Sequence, residues 1–478
     1  MALAEELTFT PATELLRQMA ARELSPVELL EACLARVEAL NPAINALIHV
    51  MGDEAMEQAR DSEARLVRGE GRPLEGLPIP IKDIAVVAGT PLTLGSRMSP
   101  DFPMPFDSES VARLRAAGAV IIGKSHMPEL GSTISSESDR FGATRNPWNL
   151  DHSPGGSSSG AAAAVASGMV PAAHGADGGG SLRIPASWTN LFTIKPTRGR
   201  ISEEPLGDIL GLVIQGFITH NVRDNAVLLD QVQGYARGDR AWSSPIARPF
   251  ADEVGAPPGR LRVGWTLKPP TPAAVDPACA AAVQRAAGVL ADLGHEVEAH
   301  DPDWADEEAV ELILTLWRAQ FGFVVDSLAR FGLDPALLEP HSRALWEQAK
   351  SISSSDLLGA LARTHDMLKR LDTSFQRYDV LLSPVTAQPP VKIGWLFEDR
   401  ERDPLSPLLP RSVDVAPFCA IFNVTGQPAA SWPLGWTDDG LPVGVQVAGQ
   451  MGDEATLFRL SAQVEEATRW GSQRPALG

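Results

Sequence analysis

"GGSSSGAAAAVASG" (residues 155–168) is followed, after a short apolar stretch, by "GGGSLR" (residues 178–183). Runs of glycine and serine are usually flexible linkers that carry no chemistry. A linker does not fit here, because "AAAAVA" inside the first run is strongly helix-forming and "VPAAHGAD" between the runs has strand character. We therefore predict that both glycine-serine clusters are built into the folded core.

The composition predicts a large soluble globular protein. The chain has 478 residues, of which 44% are hydrophobic and 21% charged, and its formal net charge is −19. This charge disfavours a nucleic acid or an anionic membrane surface as partner, because both would repel the protein. The first residues lack the cationic head and apolar run of a signal peptide, and no segment is expected to suit a membrane helix, so a cytoplasmic location is the default expectation.

The cysteines do not indicate a metal or redox centre. Cys33, Cys279 and Cys419 are far apart, odd in number and without a C-x-x-C spacing. Each is expected to be a buried or half-buried thiol, and neither a metal nor a cofactor is predicted.

Helix and strand patterns alternate along much of the chain. A capping box with proline at the first helical position, Ser25 to Glu28, starts a helix that we expect to end at Asn41-Pro42. Strand-like runs such as "AVIIGK" (119–124) and "RLRVGW" (260–265) then alternate with helical segments. This alternation predicts an α/β fold with a largely parallel sheet and crossover helices.

The second glycine cluster is suited to binding a negatively charged oxygen. Gly178, Gly179 and Gly180, followed by Ser181, offer consecutive backbone N–H groups without side chains in the way. A phosphate loop would need G-x-x-x-x-G-K-[ST], which is absent, so an oxyanion hole beside a serine nucleophile is the better interpretation.

A serine nucleophile needs a base, and the residues alone leave two kinds open. His152 and His174 lie near the clusters, but no G-x-S-x-G elbow accompanies them. A buried lysine is the other option, since burial favours its neutral form and Ser-Lys arrangements exist.

Several motifs of this sequence resemble motifs of the amidase signature family of hydrolases, and they follow one another in the order found in that family. They are "PIPIKD" (78–83), the two glycine-serine clusters, "DGGGSLRIPAS" (177–187), "FGATRNPWNL" (141–150) and "FNVTGQPAASWPLGWTDDGLPVGVQVAG" (422–449). The resemblance runs from about residue 24 to the C-terminus and is weakest over 307–375. It implies one amidase domain over 1–478, with N-terminal helices over about 1–70, a signature core over about 71–235 and a variable helical region over about 307–375. The implied fold is a large mixed, mostly parallel twisted β-sheet covered by helices on both faces.

The resemblance also implies catalytic roles for three residues. Ser181 is the nucleophile, Ser157 is a bridging serine held by a cis peptide bond, and Lys82 is the base of a triad that works through an acyl-enzyme. The N–H groups of the three glycines and Ser181 are expected to form the oxyanion hole. Desolvation among Ile79, Ile81 and Ile84 is expected to lower the pKa of Lys82.

Three further residues receive supporting roles by resemblance. Ser158 and Arg183 are expected to support the proton relay by hydrogen bonding, and Asp177 is expected to fix the glycine loop. A purely structural ion pair between Asp177 and Arg183 is the alternative.

The resemblance implies a small neutral amide, anilide or carbamate as substrate, because it is strongest to hydrolases of linear and cyclic amides and to aryl acylamidases. The 307–375 region is expected to wall the site entrance. Two other functions stay open: an amidotransferase subunit that acts on glutamine and tRNA in a complex, and a catalytically inactive binding or scaffold protein. A homodimer also stays open as an assembly.

Overall fold

The strands form three sheets in a computed structural model that describes residues 2–205, 208–304, 307–398 and 408–477. The strands are β1 (Leu47–Val50), β2 (Pro78–Lys82), β3 (Val120–Ser125), β4 (Glu137–Ser138), β5 (Gly142–Ala143), β6 (Ala172–Asp177), β7 (Phe192–Lys195), β8 (Ile214–Thr219), β9 (Arg262–Trp265), β10 (Glu296–Ala299), β11 (Val380–Pro384), β12 (Ala429–Trp436) and β13 (Pro442–Gly449).

Helices separate and cover these strands. They are α1 (Ala2–Thr8), α2 (Ala12–Ala20), α3 (Pro26–Ile44), α4 (Gly52–Arg68), α5 (Glu109–Ala116), α6 (Ser159–Ala166), α7 (Arg183–Trp188), α8 (Val222–Val232), α9 (Phe250–Glu253), α10 (Pro277–Asp292), α11 (Glu307–Arg330), α12 (Pro340–Ala349), α13 (Ser354–Arg377), α14 (Leu408–Val415), α15 (Ile421–Thr425) and α16 (Glu454–Thr468).

The main sheet is mixed, and its strand order is β10-β9-β11-β13-β12-β7-β8-β6. Strand β9 pairs in parallel with β10 and β11. From β11 through β13, β12, β7 and β8 to β6, every neighbouring pair is antiparallel. The mixed α/β class is confirmed, but the expected majority of parallel pairs is wrong. The alternation of helices and strands in the sequence predicts only that helices separate the strands. It does not reveal that the hairpin of β12 and β13 inserts between β11 and β7 and pairs with both in the antiparallel direction.

Helices pack on both faces of this sheet, and strand β13 shows why. Val443, Val445 and Val447 lie in the core cluster that contains the apolar residues of α10 and α16. Gly444 and Gln446 point the other way, because successive side chains of a strand alternate between its faces. The Gly444 N–H donates to a serine of α7, Ser187, at 2.7 Å.

The helix predicted from the capping box is α3, and it extends beyond its predicted end. The Ser25 hydroxyl and Glu28 carboxylate cap its start, but the helix continues through Pro42 to Ile44. Its end is set by Asn45 in the left-handed conformation, with φ of 57°. The Asn41 side chain also accepts from the next two backbone N–H groups. The proline removes one N–H near the helix end, and these contacts hold the last turn without it.

Helix α11 corrects the expectation that no segment is long and apolar enough to cross a membrane. By length and composition alone Ala309–Arg330 would qualify, with a mean hydropathy of 1.3. Several of its apolar side chains have partners within the protein. Leu312 and Leu316 pack in a core cluster with α13, and Phe321 and Val325 pack in another with α12. This packing accounts for part of the apolar sequence of the helix, since 33% of the membrane-length segment is buried inside the protein.

The alanine-rich run of the first glycine-serine cluster forms α6, and all its residues are buried. A Cβ atom at Gly160 would lie 2.2 Å from the Ala46 carbonyl oxygen and 2.4 Å from the His126 backbone nitrogen. Small residues are therefore required for this helix to approach its neighbours so closely. The close packing fixes the start of α6, where Ser157 and Ser158 lie.

Candidate active site

Lys82 and the first glycine-serine cluster meet in a buried polar contact. Lys82 is the last residue of β2 and is 1% exposed. Its Nζ lies 2.9 Å from both the Ser157 Oγ and the Ser158 Oγ, and it donates to the Ala176 carbonyl oxygen at 3.1 Å. The peptide bond between Gly156 and Ser157 is cis. Ser158 therefore contacts the lysine directly, as a residue that supports the relay would.

Ser181 lies in the loop between β6 and α7, half-buried at the wall of a cavity that Lys82 and Ser157 also line. The Ser158 N–H donates to the Ser181 carbonyl oxygen at 3.2 Å, which ties the two glycine-serine clusters together. The structure thus brings the three predicted triad residues to one cavity.

Asp177 holds the loop that carries Ser181. Its carboxylate accepts from the Gly180 N–H at 2.7 Å and from the Leu182 N–H at 3.2 Å. Both bonds close the loop around one side chain at the end of β6. This arrangement matches the role of fixing the glycine loop that was expected for Asp177.

The oxyanion-hole prediction needs a correction at Gly180. Its N–H is already bound by Asp177, and Gly180 is buried away from the cavity. Gly178, Gly179 and Ser181 do line the cavity. In the described part of the chain, none of their three backbone N–H groups has an acceptor. These three donors, without Gly180, are the ones available to a developing oxyanion.

Gly180 has a steric role, which a pair of variants tests. Its φ is 125°, and an added Cβ would lie 2.7 Å from the Ile184 Cδ1 and 2.8 Å from the Cys419 Cβ. Gly180→Ala should therefore reduce the free energy of unfolding by about 2–4 kcal/mol through strain and overpacking. At Gly179 the nearest atom to an added Cβ, on Ala420, is 3.9 Å away. Gly179→Ala is the matched control, with an expected loss below about 1 kcal/mol. Equal losses in urea-induced unfolding of the two variants would contradict this role.

Arg183 does not support the relay as expected. Its guanidinium is fully buried and pairs with the Asp177 carboxylate at 2.9 Å. Its other partners are the Cys419 carbonyl oxygen, the Gln446 Oε1 and the Asn423 Oδ1, at 3.0, 2.7 and 2.6 Å. None of these contacts reaches Lys82, Ser157 or Ser181. The Arg183 side chain extends from the loop toward β13 and α15, away from these three residues. A structural ion pair with Asp177 therefore describes Arg183 better than a role in the relay.

Asn423 and Gln446 are residues that sequence reasoning missed. Asn423 donates to the Asp177 carbonyl oxygen at 2.7 Å and to its carboxylate at 2.9 Å. Both residues lie in the C-terminal motif that carries part of the family resemblance, "FNVTGQPA" to "GVQVAG". The signal was present, but the sequence does not reveal that these side chains meet the segment from Asp177 to Arg183 that carries Ser181.

Burial sets the protonation of Lys82. It lowers the pKa of the ammonium to about 7, against the opposing attraction of the Asp177 carboxylate. Ile84 lines the cavity with Lys82, but Ile79 and Ile81 lie in the core cluster on the other face of β2. The expected desolvation is present, whereas two of the three isoleucines assigned to it point away.

The two histidines considered as possible bases, His152 and His174, lie outside the cavity wall that the structure describes. His174 is buried, its Nε2 lies 2.9 Å from the Gln215 Oε1, and burial lowers its pKa to about 4. His152 is half-buried in a loop. Neither is among the described residues that line the cavity. This placement favours the lysine as base over either histidine.

The cavity has a volume of about 660 Å³ and a large apolar wall. Much of that wall comes from α11 and the residue after it, through Leu314, Trp317, Phe321, Val324, Leu328 and Phe331. Among the described lining residues none comes from α12 or α13, so the first helix of the 307–375 region forms the wall.

Neither a cysteine nor a histidine is among the described residues that line the cavity. Within the described ranges, no group of three or more His, Cys, Asp or Glu side chains could hold a metal ion. Cys33, Cys279 and Cys419 are free and buried, and burial raises the pKa of each thiol to about 12.

Comparisons with known proteins give one consistent result. The family profile described as Amidase matches residues 28–458. AmiB2 of Mycobacterium tuberculosis is 39% identical over 477 residues, 99% of each chain. The 6-aminohexanoate-cyclic-dimer hydrolase of Pseudomonas sp. (strain NK87) is 37% identical, covering 95% of this chain and 94% of the relative.

Solved structures agree with the sequence comparisons. A 6-aminohexanoate cyclic dimer hydrolase superposes with a TM-score of 0.93 and 34% identity, over 98% of this chain and 99% of that one. A bacterial aryl acylamidase superposes with a TM-score of 0.86 and 27% identity, over 97% of each chain.

Proposed function

This chain belongs to the amidase family of amide-hydrolysing enzymes, and we propose that it cleaves neutral apolar amides, anilides and carbamates with a triad of Ser181, Ser157 and Lys82. The observation that carries the proposal is the buried contact between the Lys82 Nζ and the Ser157 Oγ at the wall of the cavity that Ser181 lines.

The first half of the reaction forms an acyl-enzyme. The Ser181 Oγ attacks the substrate carbonyl carbon while its proton passes to the Ser157 Oγ, and the Ser157 proton passes to neutral Lys82. The carbonyl oxygen becomes an oxyanion that the N–H groups of Gly178, Gly179 and Ser181 stabilise. The C–N bond then breaks, and the leaving amine takes its proton from Lys82 through Ser157.

The second half releases the acid. Water attacks the acyl carbon, and its proton moves along the same two groups to Lys82. When the ester bond to Ser181 breaks, the proton returns to the serine oxygen, and the enzyme is ready for another cycle.

The cavity wall supports an uncharged, largely apolar substrate. Burial of apolar surface stabilises a complex by about 25 cal/mol for each Å², and α11 contributes leucine, phenylalanine and tryptophan side chains to this wall. The ionisable side chains among the described lining residues are Lys82, Glu203, Glu204 and Asp208. A substrate carboxylate would meet repulsion from the carboxylates of Glu204 and Asp208, and Lys82, the one amine among these described residues, already bonds to Ser157 and Ser158.

A substrate series tests this proposal. We expect the purified chain alone to hydrolyse 4-nitroacetanilide, to show higher kcat/KM with longer acyl anilides, and to accept an aryl carbamate. Malonamate should be poorer than 4-nitroacetanilide by at least about tenfold, because its carboxylate would be desolvated beside like charges. The measurement is kcat/KM for each compound.

The same series separates the other functions. An amidotransferase subunit that requires its complex, or an inactive scaffold protein, would leave every anilide uncleaved. A clear preference for malonamate would contradict the apolar-substrate proposal while leaving the amidase assignment in place.

A further inference from the structure

Glu203 lies in the cavity wall, and the reaction steps above do not use it. It belongs to the connection between β7 and β8 and is half-buried. The Gln215 backbone N–H donates to its Oε1 at 3.2 Å, and the Gln215 Nε2 donates to its Oε2 at 2.9 Å. Two bonds from one residue fix the orientation of the carboxyl group.

Gln215 is itself held firmly. It lies on β8 and is 5% exposed. Its Oε1 accepts from the Ser110 Oγ at 2.6 Å and from the His174 Nε2 at 2.9 Å. The acceptor side of this amide is occupied by buried partners, so its N–H groups face Ser202 and Glu203. The carboxyl group is therefore supported by a chain of buried hydrogen bonds rather than by a mobile loop contact.

The surroundings of Glu203 favour its protonated form. Enclosure raises the pKa of this carboxyl to about 8, against the hydrogen bonds from Gln215, and the Asp208 and Asp239 carboxylates raise it further. At neutral pH the group then carries an O–H. Gln215 acts only as a donor in both contacts, so neither contact uses this O–H, and Glu203 is among the described residues that line the cavity.

We propose that Glu203 is a specificity-determining residue whose carboxyl group donates a hydrogen bond to an acceptor oxygen that the substrate carries beyond the scissile bond. The favoured substrates are then molecules with a second carbonyl group, such as diamides and bis-carbamates. An all-apolar acyl chain would shield the carboxyl group from water without replacing its hydrogen bond, and such an unpaired group penalises binding. This inference rests on the proposed function.

The test compares two kinds of anilide on the same enzyme preparation. One is N-(4-nitrophenyl)hexanamide, and the other is a set of acyl 4-nitroanilides that end in an acetamido group after about two to five methylene groups. The preferred acetamido compound should exceed hexanamide in kcat/KM by about five- to tenfold, as one hydrogen bond would give. The ratio cancels the fraction of active enzyme, so partial misfolding of a variant does not affect it.

Two variants identify the residue. Glu203→Gln keeps an N–H donor and should keep most of the preference, whereas Glu203→Leu should reduce the ratio to near one. Equal rates for both substrates with the wild type, or an unchanged ratio in Glu203→Leu, would overturn the specificity proposal alone. A stronger preference for a 6-aminohexanoyl anilide that Glu203→Gln removes would also overturn it, since the group would then act as a carboxylate. Inert anilides would overturn the proposed function and this inference with it.

Discussion

Ser181→Ala should reduce kcat for anilide hydrolysis by about 10⁵-fold or more while the protein stays folded. Removal of the proposed nucleophile would eliminate the acyl-enzyme route, and the other members of a triad cannot replace it. The fold should be unaffected, because the Ser181 side chain is half-buried and its hydroxyl has no hydrogen-bond partner among the described residues. The measurements are kcat with 4-nitroacetanilide and the thermal unfolding midpoint of both proteins.

Ser327→Ala provides the control for this variant. Ser327 lies on α11, and its hydroxyl donates to the Phe323 carbonyl oxygen within the helix at 2.7 Å. Loss of this hydroxyl should change kcat by less than about threefold, because its hydrogen bond lies within the helix. Alanine is the better helix former, so the helix itself should also stay in place. Equal reductions of kcat in the two variants would show that Ser181 has no catalytic role that the other serines around the cavity lack.

Lys82→Met should lower kcat by about 10²–10⁴-fold, the range expected for loss of a general base. Methionine fills similar space without an amine, so the buried site stays packed. Lys82→Arg should be equally inactive, because a guanidinium does not release its proton near neutral pH. His152→Ala and His174→Ala should each lose less than about tenfold. Losses in either histidine variant as large as in Lys82→Met would favour a histidine base instead.

The pH dependence follows from the same residue. Burial lowers the pKa of Lys82 to about 7, and only the neutral amine accepts a proton. Activity should therefore be low where the lysine is protonated, rise about tenfold per pH unit below pH 7, and level off above it. The quantity to measure is kcat/KM against pH, which reports the free enzyme. A profile that falls as pH rises through 7 would contradict the lysine as base.

Motifs with a strong local cause were predictable from the sequence. The capping box at Ser25 fixes the start of α3, and the glycine-serine clusters mark the two loops that meet at the cavity. These features depend on neighbouring residues, so they can be interpreted without the fold. The α/β class could be predicted for the same reason, from helix and strand patterns along the chain, although those patterns did not predict the antiparallel pairs of the main sheet.

Features that depend on how the chain folds, either within a loop or between distant residues, could not be predicted. The Gly180 N–H binds Asp177 because of the way the loop folds, and a run of three glycines does not indicate which amide is used. Arg183 turns toward Asn423 and Gln446, which are more than 200 positions away. Strand order is equally non-local, since the hairpin of β12 and β13 inserts between strands that precede it in sequence. Glu203 gave no signal, because it becomes notable only when Gln215 and the cavity are placed beside it.

The proposed role of Ser181 as nucleophile can be tested by labelling the protein with a fluorophosphonate. The intact protein would be treated with the reagent, its mass measured, and the modified peptide mapped. We expect one adduct on Ser181, none in Ser181→Ala, and slower labelling in Lys82→Met because the proposed relay would no longer accept the serine proton. An adduct on Ser157 or any other residue of the wild type, with Ser181 unmodified, would contradict this assignment.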